Sequence, residues 1–217
     1  MIVPLDIHTH RLPERPGTAI VSCTPETFVP EAGHLYSVGI HPRYLPAKPD
    51  EEAMLRTLHR QLTHRQVLAL GEAGLDKLAE APMSAQIDLF TRQAMLAEAL
   101  HKPLIIHLVR ATDELLAVRK QLHPTASPWI LHGFRGKPQQ AEQLLRAGCY
   151  LSFGEHYHEE ALSLVPDDRL FLETDESSVP LPALYERAAA VRATPPERLR
   201  ERVTANVLRL FLGGVYQ

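Results

Sequence analysis

Short apolar runs recur along the chain: IVPLDIH, AIVSCT, LYSVGIHP, VLALGEAGLD, PLIIHLV, WILHGF, CYLSFGEH and LFLETDES. Their length and their β-branched and aromatic content predict strands. From the third run onward, amphipathic segments lie between them, at Asp50–Leu62, Ser84–Leu100, Thr112–Leu122, Pro138–Ala147 and Glu159–Leu164. In the second of these, Ile87, Phe90, Ala94 and Ala97 fall on one helical stripe. Near the C-terminus, TPPE predicts a helix start with Thr194 as N-cap, Pro195 at the first helical position and Glu197 three residues after the cap.

Strands alternating with helices build parallel βαβ units. Eight strands predict an α/β fold of the closed kind, a (β/α)8 TIM barrel. The first two connections break the alternation. THRLPERPG and PETFVPEAGH are rich in proline and glycine and carry no helical period. Helices are therefore expected to be missing after the first two strands, leaving the barrel trimmed on that side. The 217 residues suit a single domain spanning 1–217, near the lower end for this architecture.

Composition narrows the classes. The chain is 45% hydrophobic and 23% charged, which allows a large core. A net charge of -3 offers no broad basic field for a tight, non-specific grip on long duplex nucleic acid. Cys23 and Cys149 stand far apart in apolar segments and read as buried free thiols in a reducing compartment. The N-terminus lacks the pattern of a signal peptide, and no segment is apolar enough to span a membrane. The expectation is a cytoplasmic protein with no membrane and no obligate protein partner.

Polar residues gather at the C-terminal ends of the apolar runs. In the first run, Asp6, His8 and His10 alternate and would share one face of a strand, either as a solvated strand end or as metal ligands. The third run ends in His41, and the fourth in Glu72 with Asp76 beyond it. The fifth carries His107, the sixth His132, and the seventh Glu155 and His156. The eighth, read as a strand over Leu170–Thr174, leads to Asp175 and Glu176. One histidine inside LIIHLV is more often a satisfied core residue. Several such residues together resist a packing explanation, because this end of a parallel barrel builds the active site.

Nitrogen and oxygen donors without cysteine suit magnesium, manganese or zinc. His8, His10, Glu72, His107, His132 and Asp175 make six candidates, enough for two divalent ions sharing a carboxylate about 3.5–4 Å apart. Arg135, Lys137, Arg110 and Lys77 lie near strand ends and read either as phosphate contacts or as solvated loop charges. His41 and His156 read as substrate contacts or rim residues. His34, His59, His64, His101, His123 and His158 carry no expected role and read as surface residues.

The motifs DIHTH, SVGIHP, ALGEAGLD, PLIIH, ILHGFRG, CYLSFG, FLETD and TANVLRLF stand in an order that resembles the TatD family of metal-dependent deoxyribonucleases, within the amidohydrolase-like superfamily. The resemblance spans nearly the whole chain. It implies a (β/α)8 barrel, His8 and His10 as ligands of one metal, Glu72 as the bridging carboxylate, and His107 and His132 as ligands of the second metal. It implies that Asp175 both ligates metal and handles the proton of the attacking water, with Glu173 and Asp6 in support. Asp175 and Glu72 are then the catalytic residues, two divalent cations the cofactors, and DNA ends or a small phosphodiester the substrate. Such cations lower the pKa of a water toward about 7.

Three departures put the substrate in question. Val109 stands where the family commonly has an arginine, two residues after His107, and Arg135 stands where a serine is common. The N-terminal side is short, which either opens the pocket or removes a substrate wall. An amide or ester hydrolase on the same barrel is the alternative, although much of that superfamily bridges its metals with a carboxylated lysine at the fourth strand, where this chain has Glu72. A non-catalytic barrel is the remaining reading.

Overall fold

The computed structural model describes residues 2–45, 50–122 and 126–213. Its eight strands are β1 Asp6–Thr9, β2 Ala19–Cys23, β3 Leu35–Val38, β4 Val67–Asp76, β5 Leu104–Val109, β6 Trp129–Leu131, β7 Tyr150–Phe153 and β8 Leu170–Leu172. They form one sheet in chain order, every neighbouring pair parallel. A parallel bridge between Thr9 and Asp175 joins the exit of β8 to β1, so the sheet curls into a barrel. All ten residues of β4 are buried, as expected where a parallel strand is covered on both faces.

The helices are α1 Glu51–Leu62, α2 Met83–Ala99, α3 Thr112–Gln121, α4 Pro138–Arg146, α5 Glu159–Leu164, α6 Leu181–Val191 and α7 Pro196–Val207. Among the described residues none stands between β1 and β2 or between β2 and β3. Pro13, Pro16, Pro25 and Pro30 fall in those connections and supply no backbone donor for a helical ladder. The core packs Trp129, Phe90, Phe153, Phe171 and Tyr185 out of solvent, with the Phe90 and Trp129 rings edge to face at 5.3 Å.

Helix α1 begins at Asp50, whose side chain accepts from the Ala53 N–H at 3.0 Å. The start of α7 differs from expectation. Its N-cap is Pro195, not Thr194, and no side chain caps it, because Pro196 takes the first helical position. Helix α6 has no counterpart in the sequence reading. It opens at Pro180 and carries Pro182 in its first turn, where the missing N–H costs nothing.

In α2 the buried face includes Phe90, Ala94 and Ala97 but also Gln86 and Gln93, while Ile87 is half-buried. Gln93 Oε1 accepts from Ile40 N at 2.8 Å, and its Nε2 donates to Ile40 O at 3.1 Å. Gln86 does the same for Asp76, at 2.8 and 3.0 Å. Two amides two helical turns apart thus act as substitute strand partners for the ends of β3 and β4. Both clamped residues adjoin the polar end of the barrel.

Three further expectations need correction. The last strand stops at Leu172 rather than Thr174. The Asp6 carboxylate accepts from both Thr174 N (2.9 Å) and Thr174 Oγ1 (2.6 Å), which takes that residue out of the ladder. His34 is buried at the entry to β3 rather than on the surface. Cys149 is buried, but Cys23 is only half-buried. His123 lies outside the described residues.

Candidate metal centre

Strand geometry alone brings His8 and His10 to one place, since residues two apart share a face. His8 is fully buried at the top of β1, and His10 follows the strand at the rim. Glu72 enters from the middle of β4, between two close strand contacts. A Cβ on Gly74 (φ +157°) would sit 1.9 Å from His107 O, so only glycine lets β5 approach here. His107 comes from β5, and His132 directly follows β6. Asp175, at φ +53°, leaves β8 in the left-handed region. Its N–H donates to His8 O at 2.9 Å, and its own carbonyl accepts from His10 N at 3.3 Å.

All six expected donors converge. Glu72 Oε2 lies 3.5 Å from His8 Nε2 and 3.7 Å from His10 Nε2. Asp175 Oδ1 lies 3.7 and 3.4 Å from the same two nitrogens. Glu72 Oε1 faces the other way, 2.8 Å from His107 Nδ1 and 2.8 Å from His132 Nε2. Donor atoms of His8, His10 and Glu72 fall within 4.8 Å of one another, as do those of His8, His132 and Asp175, and those of His41, Glu72 and His107.

Supporting groups fix the rings. His107 Nε2 lies 3.0 Å from Asp76 Oδ2, which fixes the ring with Nδ1 turned toward the site. His132 Nδ1 lies 3.2 Å from Glu173 Oε1, which also accepts from Gly133 N at 2.6 Å, and Ser152 Oγ donates to Glu173 Oε2. His41 differs. Its Nδ1 accepts from Arg43 N at 3.0 Å, so its proton sits on Nε2, 3.1 Å from Glu72 Oε1. A nitrogen that bears a proton donates and does not ligate. His41 is a hydrogen-bond donor at the site.

The charges are strongly coupled. Burial raises the Glu72 carboxyl, but the charge of His132 and hydrogen bonds from His107, His132 and His41 outweigh burial and hold it well below the usual carboxylate range. Burial disfavours the His132 cation, yet Glu72 and Glu173 keep it protonated well above the ordinary histidine value. His8, desolvated and beside His132, is pushed down to about 4 and is neutral. The hydrogen bond to Asp175 raises His10. Burial pushes Asp6 up to about 7 against the pull of its Thr174 hydrogen bonds.

A cation fits this donor set. His8 Nδ1 and Nε2 are buried and have no hydrogen-bond partner, although Nε2 points at two carboxylate oxygens. A buried polar atom left in this state is unfavourable. A divalent ion among His8, His10, Glu72 and Asp175 would give Nε2 a partner. The second set, Glu72 with His107 and His132, has both rings held by carboxylates from behind.

The centre opens into a cavity of about 1260 Å³. Its wall includes Ser22 and Cys23 from β2 and Thr24 and Thr27 from the helix-free connection that follows. Arg110 and Arg135 line it. Lys77 and Lys137 do not: the Lys77 ammonium pairs with Glu114 at 2.6 Å, and Lys137 is the exposed N-cap residue of α4. His156 is exposed and outside the lining.

Sequence reasoning assigned no role to Asp76 and did not single out Arg43. Asp76 lies four residues after Glu72 and so shares its face of β4, a signal available from the strand period. Arg43 sits in a short 3₁₀ turn, Pro42–Tyr44, and its Nε donates to Asp76 Oδ2 at 2.7 Å. Nothing periodic announces that contact. Among the described residues no helix is long and apolar enough to cross a membrane.

Known proteins resemble this arrangement. The family described as TatD related DNase matches residues 29–212. A protein of Bacillus subtilis named as the uncharacterized metal-dependent hydrolase YabD is 29% identical over 196 residues, covering 81% of this chain and 76% of the relative. The 3'-5' ssDNA/RNA exonuclease TatD of Erwinia billingiae is 30% identical over 208 residues, covering 82% of this chain and 78% of the relative. The crystal structure of YJJV, a TatD homolog from Escherichia coli K12, superposes with a TM-score of 0.78 over 95% of this chain and 96% of that one, at 22% identity, and so shares the barrel fold. The chain is a metal-dependent hydrolase of the TatD family.

Proposed function

We propose that this protein is a phosphodiesterase acting on DNA ends, with two divalent cations held by one carboxylate. The observation that carries the proposal is the orientation of Glu72. Its Oε2 faces His8 and His10, while its Oε1 faces His107 and His132. A carboxylate between two separate nitrogen sets is the donor pattern of a bridged pair. His8, His10, Glu72 and Asp175 would hold one ion, and Glu72, His107 and His132 the other. When bound, such a pair supplies charge neutralisation for a phosphodiester and a water acidic enough to attack at neutral pH.

The remaining work falls to the side chains. Asp175 is held well enough below the ordinary carboxylate range by the His10 hydrogen bond and the nearby histidines, against burial, to stay ionised. Its side chain is 23% exposed and reaches the cavity, so it accepts the proton of the attacking water. His41 donates toward Glu72 Oε1 and can turn that proton to a phosphate oxygen. Arg110 and Arg135 add positive charge to the wall. Nuclease names among the relatives support nucleic acid over an amide, and a glutamate rather than a lysine at the centre of β4 agrees with them.

The test uses metal-stripped protein with magnesium, manganese and zinc restored in turn. End-labelled single-stranded DNA should be shortened from one end, and cyclic amides and lactones left intact. Cleavage of an amide or lactone with DNA untouched under every metal would replace the proposed activity and retain the centre.

A further inference from the structure

The turn after β3 places two exposed side chains at the cavity wall that the chemistry above does not use. Arg43 is tied by its Nε to Asp76, a fully buried carboxylate, and its side chain remains 52% exposed. Its Nη atoms make no hydrogen bond among the described residues. The tie fixes the plane of the guanidinium and leaves its outer N–H groups for a ligand. Asp76 also faces His107 Nε2 at 3.0 Å, so Arg43 stands on the same carboxylate that orients a residue of the metal centre. Tyr44 follows it, 70% exposed, with its ring 5.3 Å from that of His41. Both residues line the cavity.

An exposed aromatic ring against an active-site imidazole, next to an oriented guanidinium, matches the two surfaces of a nucleotide: a planar base and an anionic phosphate. A simple phosphate ester would have no use for the ring. Resting on the phosphodiesterase proposal, we infer that the Pro42–Tyr44 turn reads the substrate strand, with Arg43 binding a backbone phosphate beside the scissile one and Tyr44 stacking on the adjoining base. Stacking of this kind tolerates any base and favours single strands over duplex, whose bases are already paired and stacked.

Fluorescence anisotropy of the full chain, with calcium supplied and short phosphorothioate oligothymidylate as probe, tests this. A second probe of equal length lacks the bases. Tyr44→Ala should weaken the base-bearing probe about tenfold and leave the abasic probe unchanged, so that the variant no longer distinguishes the two. Tyr44→Phe should retain the distinction. Arg43→Gln should weaken both probes alike and lower the slope of log affinity against log salt by about 0.7. Tyr44 is largely exposed, so an unchanged Tm is expected for its variants, whereas Arg43→Gln takes the cation from buried Asp76 and should lower the Tm while weakening both probes by the same factor. Equal weakening of both probes by Tyr44→Ala, or no effect, overturns the stacking role while leaving the phosphodiesterase proposal in place. Wild-type protein that binds neither probe overturns both.

Discussion

His8 Nε2 lies 3.5 Å from Glu72 Oε2 yet hydrogen bonds to nothing, in a place no solvent reaches. An unpaired buried polar atom costs about 1–3 kcal/mol, so the metal-free centre carries a penalty that a cation removes. His8→Leu should therefore leave the metal-free protein as stable as wild type, or more so, while lowering its metal content. Added metal should raise the Tm of wild type by more than that of the variant. Thermal scans with and without manganese, alongside metal analysis, check this. Full metal content in the variant would remove His8 from the ligand set.

Metal uptake should expel a proton. In the metal-free centre His132 is held protonated by Glu72 and Glu173 despite its burial, whereas His8 is already neutral above about 4. Only His132 of these two must give up a proton to present a lone pair. Affinity should thus fall as pH drops below the raised pKa of His132, because protons then compete with the cation. Calorimetry in two buffers of different ionisation enthalpy should give different heats of manganese binding. Equal heats would mean that no proton leaves.

Asp175→Asn isolates the proton-accepting step. Asparagine tolerates the left-handed backbone at φ +53° better than most residues, so the loop and its hydrogen bonds to β1 should persist. Its amide cannot accept a proton from the attacking water as a carboxylate does. Hydrolysis of single-stranded DNA ends should fall roughly 10²–10⁴-fold with little change in circular dichroism. Unimpaired turnover would assign the proton to another group.

The glutamine clamps make a stability prediction. Gln93→Leu would leave Ile40 N–H and C=O without their side-chain partners in a buried setting. At roughly 1–3 kcal/mol for each unpaired group, the urea midpoint should drop clearly. The neighbouring residue, His41, should also lose its fixed position, lowering activity in the variant under native conditions.

The sequence discloses the strands and the donors that converge because both follow short-range rules. Apolar runs of strand length, and polar residues recurring at one end of each, need no tertiary knowledge. What stays hidden is long-range. Thr174 leaves its strand because Asp6, far away in sequence, takes its N–H. Gln86 and Gln93 look like a polar face of α2 and are instead buried partners for two strand ends. Arg43 belongs to the site only because the fold sets Asp76 within reach. Helix α6 escapes notice because Pro180 before it and Pro182 in its first turn resemble a loop.

The central claim is that Glu72 joins two cations, and bound-metal stoichiometry tests it most directly. Metal-stripped protein should take up two equivalents of manganese per chain, with hydrolysis of single-stranded DNA rising until the second is bound. Glu72→Gln should weaken both sites together, since both donor sets lean on that one side chain. Saturation at one equivalent, or loss of only one site in Glu72→Gln, would contradict the bridged pair.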